Sequence, residues 1–223
     1  MQGWFPENIS TFGADLDGVF YLIYYIVGFW FLLTQAAIVY FIIRFRRRAG
    51  QPAAYIRGDT WRQLSWILVP AAVVLVLDLG IDAAGARVWE EIKTRIPPGD
   101  VHLEINAKQF EWMITYPGVD SKLGTADDFI VNSELHVPVG KDVRITLKSK
   151  DVLHSFFLPN VRLKQDVVPG RAIDVWFKVT KPGTYELACA ELCGFGHYTM
   201  RGTFIVQTPE EYDRWVQERS SHA

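Results

Sequence analysis

A chain of 223 residues has room for one modest domain plus additional segments. Its net charge of −2 excludes the strongly basic class that binds nucleic acid through phosphate contacts. The absence of any Cys-x-x-Cys-His sequence excludes a covalently attached c-type haem on this chain.

Residues 1–17 are polar, carry the acids Glu7, Asp15 and Asp17, and contain no Lys or Arg, so they lack the basic start of a signal peptide. From Gly18 to Ile43 there is no formal charge. As a helix this run is about 39 Å long, enough to cross a hydrocarbon core of about 30 Å with some tilt. Tyr21, Tyr24, Tyr25 and Trp30 suit an interface or a partner helix. Residues 44–63 then hold six arginines (44, 46, 47, 48, 57 and 62) against one acid, Asp59. By the positive-inside rule this loop is cytoplasmic, which puts the amino terminus and everything beyond the second span on the outer, periplasmic side. The second span covers residues 64–84 and carries Asp78 and Asp82 in its outer half, where carboxylates are costly unless they face a protein partner or the interface.

Residues 85–99 form a short amphipathic connection that ends at Pro97-Pro-Gly-Asp100. From residue 100 to 223 the pattern changes to short alternating runs: 101–105, 143–147, 173–177 and 202–206. Val139-Gly140, Pro169-Gly170 and Pro182-Gly183 separate them, which predicts an all-β sandwich or barrel. Residues 117–128 are rich in acids but lack the Asp-x-Asp-x-Asp-Gly spacing of a calcium loop, so they read as a solvated insertion. Residues 210–218 predict a short amphipathic helix. For residues 100–223, 17 acids against 14 bases leave a net of −3, too little for strong steering of a basic partner.

The chemistry is concentrated in Cys189-Ala-Glu-Leu-Cys-Gly-Phe-Gly-His-Tyr-Thr-Met200, with His154 upstream in Asp151-Val-Leu-His-Ser-Phe. Both cysteines of the chain are here. A cysteine pair in an exported domain is most often a disulfide. The neighbouring imidazoles and thioether argue instead for metal, because thiolate, imidazole and thioether together suit copper, while Met is a poor zinc ligand. A mononuclear blue-copper site needs one Cys, so two coppers bridged by two thiolates is the economical reading. His102, His136 and His222 have no such neighbours and read as surface or hydrogen-bonded histidines.

This motif, with Asp-Val-Leu-His-Ser-Phe and Pro-Gly-Thr-Tyr before it, resembles the binuclear copper (CuA) domain of cytochrome c oxidase subunit II. The resemblance implies a membrane-anchored all-β fold, in which a two-helix transmembrane hairpin precedes a Greek-key β-barrel of cupredoxin type. It implies that Cys189 and Cys193 bridge two coppers, that His154 and Met200 complete one copper's ligands, and that His197 and the backbone carbonyl of Glu191 complete the other's. The Glu191 side chain becomes a ligand to a magnesium ion shared with subunit I. Gln109-Phe-Glu-Trp112 is similar to the family's aromatic segment, which makes Phe110 and Trp112 the electron-uptake residues, although Phe110 stands where Trp is common. Trp66-Ile-Leu-Val-Pro70 is similar to the start of the family's second helix. Gln63 replaces an acid found there in many relatives and cannot carry a proton as that acid does.

The function implied is subunit II of a haem–copper terminal oxidase in a prokaryotic inner membrane. It takes electrons from a c-type cytochrome and passes them to haem in subunit I, where oxygen is reduced to water, so no catalytic residue is expected on this chain. Two alternatives stay open: the electron-accepting subunit of a CuA-containing nitric oxide reductase, and a membrane-anchored copper carrier. A carrier exposes exchangeable ligands, whereas this set is expected to lie buried among Phe156, Phe157 and Phe195.

Overall fold

The computed structural model describes residues 5–53 and 55–221, and His222 lies outside the described residues. The chain divides into two compact units, residues 15–88 and the remainder. In the first, α1 spans Gly13–Arg44 and α2 spans Trp61–Trp89. Both run past the apolar stretches that predict them. Within residues 85–99, expected to be a separate connection, 85–89 instead prolong α2 and the helix then widens into a π-helical turn, Glu90–Thr94. Ala83, Ala84, Ala86 and Arg87 are good helix formers, so nothing stops the helix where the hydrocarbon-length run ends. The most apolar stretches of α1 and α2 bury nothing. Leu32, Ile42, Trp66 and Val76 are 66–81% exposed. A soluble core helix hides one face, so these two need lipid or partner helices around them, and the protein is membrane-anchored.

The described residues of the second unit form a β-domain of ten strands: β1 (Val101–Lys108), β2 (Glu111–Tyr116), β3 (Phe129–Asn132), β4 (Glu134–Pro138), β5 (Asp142–Ser149), β6 (His154–Leu158), β7 (Leu163–Val167), β8 (Ile173–Lys178), β9 (Gly183–Cys189) and β10 (Arg201–Gln207). They form two five-stranded sheets ordered β3-β2-β1-β5-β8 and β4-β10-β9-β6-β7. Parallel pairing of β1 with β5 and of β10 with β4 interrupts otherwise antiparallel ladders. The alternation read from the sequence is the cause of the packing. Leu103, Ile105 and Ala107 of β1, Val143, Ile145 and Leu147 of β5, and Phe204 and Val206 of β10 all point inward and are buried.

Ser133 lets the chain leave one sheet for the other. It adopts φ 56° between β3 and β4, donates its N–H to Trp112 O (2.7 Å) and accepts Thr203 N on its own carbonyl (2.8 Å). A helix, α3 (Pro209–Ser220), closes the domain, started by a capping box between Thr208 and Glu211 with Pro209 in the first turn. Its Trp215 stacks on buried His136 at 4.0 Å between ring centroids and meets Tyr116 edge-on at 4.9 Å.

Residues 5–14, which read in sequence as a polar lead-in, belong to this β-domain. Ile9 and Phe12 are fully buried, Ser10 bridges Val179, and Phe12 sets its ring against Trp176. The π-helical turn is tied down as well. Trp176 Nε1 donates to Ile92 O (3.0 Å) and Lys93 Nζ donates to Gln165 Oε1 (2.5 Å). Residues 117–128 form the turn-rich insertion expected. Asp127 and Asp128 accept hydrogen bonds from Asp120 N and Gly124 N, so their carboxylates brace the turn.

Candidate metal centre

Two adjacent strands and one loop build the site. His154 opens β6, Cys189 ends β9, and β6 pairs with β9 so that Phe156 faces Cys189. The loop from Cys189 to Met200 is closed at its base by Cys189 N donating to Met200 O (3.1 Å), and is held to β6 by Ala190 N donating to Ser155 O (2.9 Å). The first and last donors of the motif are therefore brought together by the ladder that joins β9 to β10.

Five donor side chains converge. The two Sγ atoms are 3.9 Å apart. His154 Nδ1 is 4.0 Å from Cys189 Sγ, and His197 Nδ1 is 3.6 Å from Cys193 Sγ. Met200 Sδ is 3.7 Å from Cys193 Sγ, and Glu191 O is 3.3 Å from Cys189 Sγ. Both thiols are free. The sulfur separation is far beyond a disulfide of about 2.05 Å and within twice a metal–thiolate bond of about 2.3 Å. The sulfur–nitrogen separations likewise fall inside about 4.3 Å, the sum of typical metal–sulfur and metal–nitrogen bonds. The donor set fits soft metal ions held in common by the two thiols. Burial, followed by the neighbouring Cys189 thiol, pushes the Cys193 thiol up to about 11, so metal must displace a tightly held proton there.

The shell around the donors was not legible in the sequence. Asp151 Oδ1 accepts from His154 Nε2 (2.8 Å) and Val152 N (2.6 Å), and its Oδ2 accepts from Gln109 N (2.7 Å). Burial would raise the Asp151 carboxyl, but the hydrogen bonds from His154, Gln109 and Val152 outweigh it and hold the group below its ordinary value. An acid that fixes one ring nitrogen leaves the other free for metal and sets its direction. Gln109 Nε2 in turn donates to Cys193 O (2.6 Å), so the β1–β2 turn grips both ligand segments.

The two glycines of Cys-Gly-Phe-Gly-His make that approach feasible. Gly194 has φ +136°, and a Cβ there would lie 2.6 Å from Gln109 Nε2. A Cβ on Gly196 would lie 2.5 Å from the Phe110 ring. The only sequence signals for this shell were the Asp-x-x-His spacing and the Gly-x-Gly within the motif.

Two expectations are corrected. Phe156 is fully buried behind the site, but Phe195 is 96% exposed, so it does not enclose the ligands. The loop tip turns outward because the glycines on either side of Phe195 pack on Phe110 and leave its own side chain no cavity. Trp112 is also fully buried, edge-on to Phe156 (5.6 Å) and His154 (6.2 Å), and offers a donor no surface. Strand alternation turns it into the core, while half-buried Phe110, at the turn, reaches the outside. His102 is exposed and within 3.1 Å of Thr146 Oγ1, and His136 Nδ1 is 3.1 Å from Gln207 Oε1, so both sit among polar partners away from the cluster.

A helical hairpin followed by a two-sheet domain with its soft donors at two strand ends and on the adjoining loop defines a membrane-anchored protein of cupredoxin type. Residues 103–207 match the family described as cytochrome C oxidase subunit II, periplasmic domain. Along its length the chain is 31% identical to alternative cytochrome c oxidase subunit 2 of Bradyrhizobium diazoefficiens, covering 99% of this chain and 86% of that one. It is 32% identical to cytochrome c oxidase subunit 2 of Thermostichus vulcanus, covering 100% and 80%. The crystal structure of the periplasmic domain of subunit II (CoxB) of Bradyrhizobium japonicum superposes with a TM-score of 0.50 at 31% identity, over 57% of this chain and 98% of that one. The chain belongs to the cytochrome c oxidase subunit II family, whose members are subunits of an oxidoreductase complex.

Proposed function

We propose that this chain is the electron-accepting subunit of a haem–copper terminal oxidase, with His154, Cys189, Glu191 (through its carbonyl), Cys193, His197 and Met200 holding a binuclear CuA centre. Copper held by these residues would supply one-electron transfer between a c-type cytochrome and haem in subunit I. The observation that carries this reading is the convergence of two free thiols, two imidazole Nδ1 atoms and a thioether, each no more than 4.0 Å from a thiol sulfur.

The chain's own residues serve that function by limiting movement. Asp151 holds the His154 ring, Gln109 holds the Cys193 carbonyl, and the β-ladders fix the loop ends, so a change of charge at the site reorganises little. The Glu191 carboxylate, half-buried in the loop, is proposed as this chain's contribution to a magnesium site completed by subunit I. Half-buried Phe110 is proposed as the residue facing the cytochrome, and Trp112 as internal packing beneath His154. The proposed orientation is the one set by the arginine-rich loop, cytoplasmic, with the β-domain in the periplasm.

The test is copper analysis and low-temperature EPR on the full chain purified in detergent and loaded with copper. A mixed-valence spectrum with seven hyperfine lines and two coppers per chain supports the assignment. A four-line, single-copper spectrum overturns the binuclear site, and copper that exchanges freely with a weak chelator favours a carrier.

A further inference from the structure

The segment joining α1 to α2 holds a charge imbalance that has so far served only to orient the chain. Residues 44–62 carry six guanidinium groups and one carboxylate. That carboxylate, Asp59, is already approached by Arg57 at 3.8 Å. Among the described residues, Arg46, Arg47 and Arg48 pair with no acid. With Arg44 they line a cleft of about 680 Å³ whose apolar wall includes Phe45 and Ile56, 68% and 70% exposed. Arg44 lies over the Phe45 ring at 5.4 Å. The cleft begins at the last residue of α1, immediately after the exposed apolar residues Phe41, Ile42 and Ile43. Cations, an apolar wall and the end of a membrane span therefore meet at one depth, where hydrocarbon gives way to headgroups.

We infer that this cleft binds the phosphodiester headgroup of an anionic phospholipid, with the acyl chains lying along the end of α1. Guanidinium forks match phosphate oxygens bidentately, and unneutralised arginines beside a span are attracted to anionic lipid. The phosphate replaces the missing carboxylates, while Phe45 and Ile56 meet the glycerol and upper acyl carbons. The inference rests on membrane anchoring and is independent of the metal centre.

The full chain in a neutral detergent is titrated with dioctanoyl phosphatidylglycerol, dioctanoyl phosphatidylcholine and inorganic phosphate, and bound lipid is counted by native mass spectrometry. Phosphatidylglycerol is expected to bind at least tenfold more tightly than phosphatidylcholine, and millimolar phosphate is expected not to displace it. The triple variant Arg46→Gln, Arg47→Gln, Arg48→Gln is expected to lose on the order of 100-fold in affinity, about fivefold per guanidinium. Its helical circular dichroism and copper content are expected to be unchanged. The corresponding triple Lys variant retains the charge and the membrane-insertion signal, and is expected to keep the preference for phosphatidylglycerol. Equal binding of the two lipids, displacement by free phosphate, or wild-type affinity in the folded Gln variant overturns the inference. So does a Gln variant that keeps its lipid preference but no longer co-purifies with a membrane partner, which would make the cleft a protein contact.

Discussion

Replacing Asp151 by Asn keeps the size of the side chain and removes one of its two acceptor oxygens. In the native chain Oδ1 serves His154 Nε2 and Val152 N, at 2.8 and 2.6 Å, and Oδ2 serves Gln109 N at 2.7 Å. An amide can turn its oxygen toward only one side, so its NH2 must face a donor on the other. If it keeps His154, the Gln109 N–H loses a charge-assisted bond worth about 1.5–3 kcal/mol. The Asp151 side chain is 29% exposed, so water can replace part of that bond, and the expected loss of domain stability is about 1–2 kcal/mol. Exchanging the carboxylate for an amide also weakens its hold on the imidazole, which costs roughly 10–100-fold in metal affinity.

The assay is competition for copper against a chelator of known affinity, with EPR of the loaded full chain. Asp166→Asn is the control, because that carboxylate accepts Ser155 Oγ at 2.8 Å and does not touch a donor ring. Copper affinity for Asp151→Asn within threefold of the wild type, with an unchanged spectrum, would refute the positioning argument.

Gly196→Ala drives a methyl group to 2.5 Å from the Phe110 ring and is expected to cost about 1–3 kcal/mol of overpacking. Thermal unfolding of the single variant and of Gly196→Ala with Phe110→Ala checks this: the cost must fall sharply when the ring is absent. Cys193→Ser is expected to abolish the seven-line spectrum and the second copper while leaving the helices inserted. An unchanged copper content and spectrum would count against the ligand set.

His136 yields a pH prediction. Burial lowers its folded pKa below 6.5, although Gln207 Oε1, which accepts from the ring, and the nearby Glu134 carboxylate raise it, and Arg219 adds to the lowering. The unfolded chain therefore binds the extra proton first. Stability is fully present above about pH 6.5 and falls as the pH drops toward the folded value. His136→Gln is expected to flatten that part of the stability curve in denaturant titrations at pH 5, 6 and 7. A wild-type slope in the variant would remove His136 as the cause.

The sequence by itself determined the features that rest on short-range pattern. Two predominantly apolar stretches of membrane-spanning length, only the first of them free of charge, need no partner to be recognised, because the energetics of hydrocarbon act residue by residue. The strand alternation of Leu103, Ile105 and Ala107 and of Val143, Ile145 and Leu147 fixes which side chains form the core. Four donors within twelve residues announce a soft-metal site because one loop can aim them together.

Only the tertiary structure decided what surrounds those donors. Gln109 lies 84 residues before Cys193, and their hydrogen bond depends on which strands neighbour one another across the domain. The same long-range pairing buries Trp112 beneath His154 and leaves Phe195, inside the motif itself, exposed. It also draws Ile9 and Phe12 into a core whose strands begin some ninety residues later, because a buried position is created by the elements on every side of it.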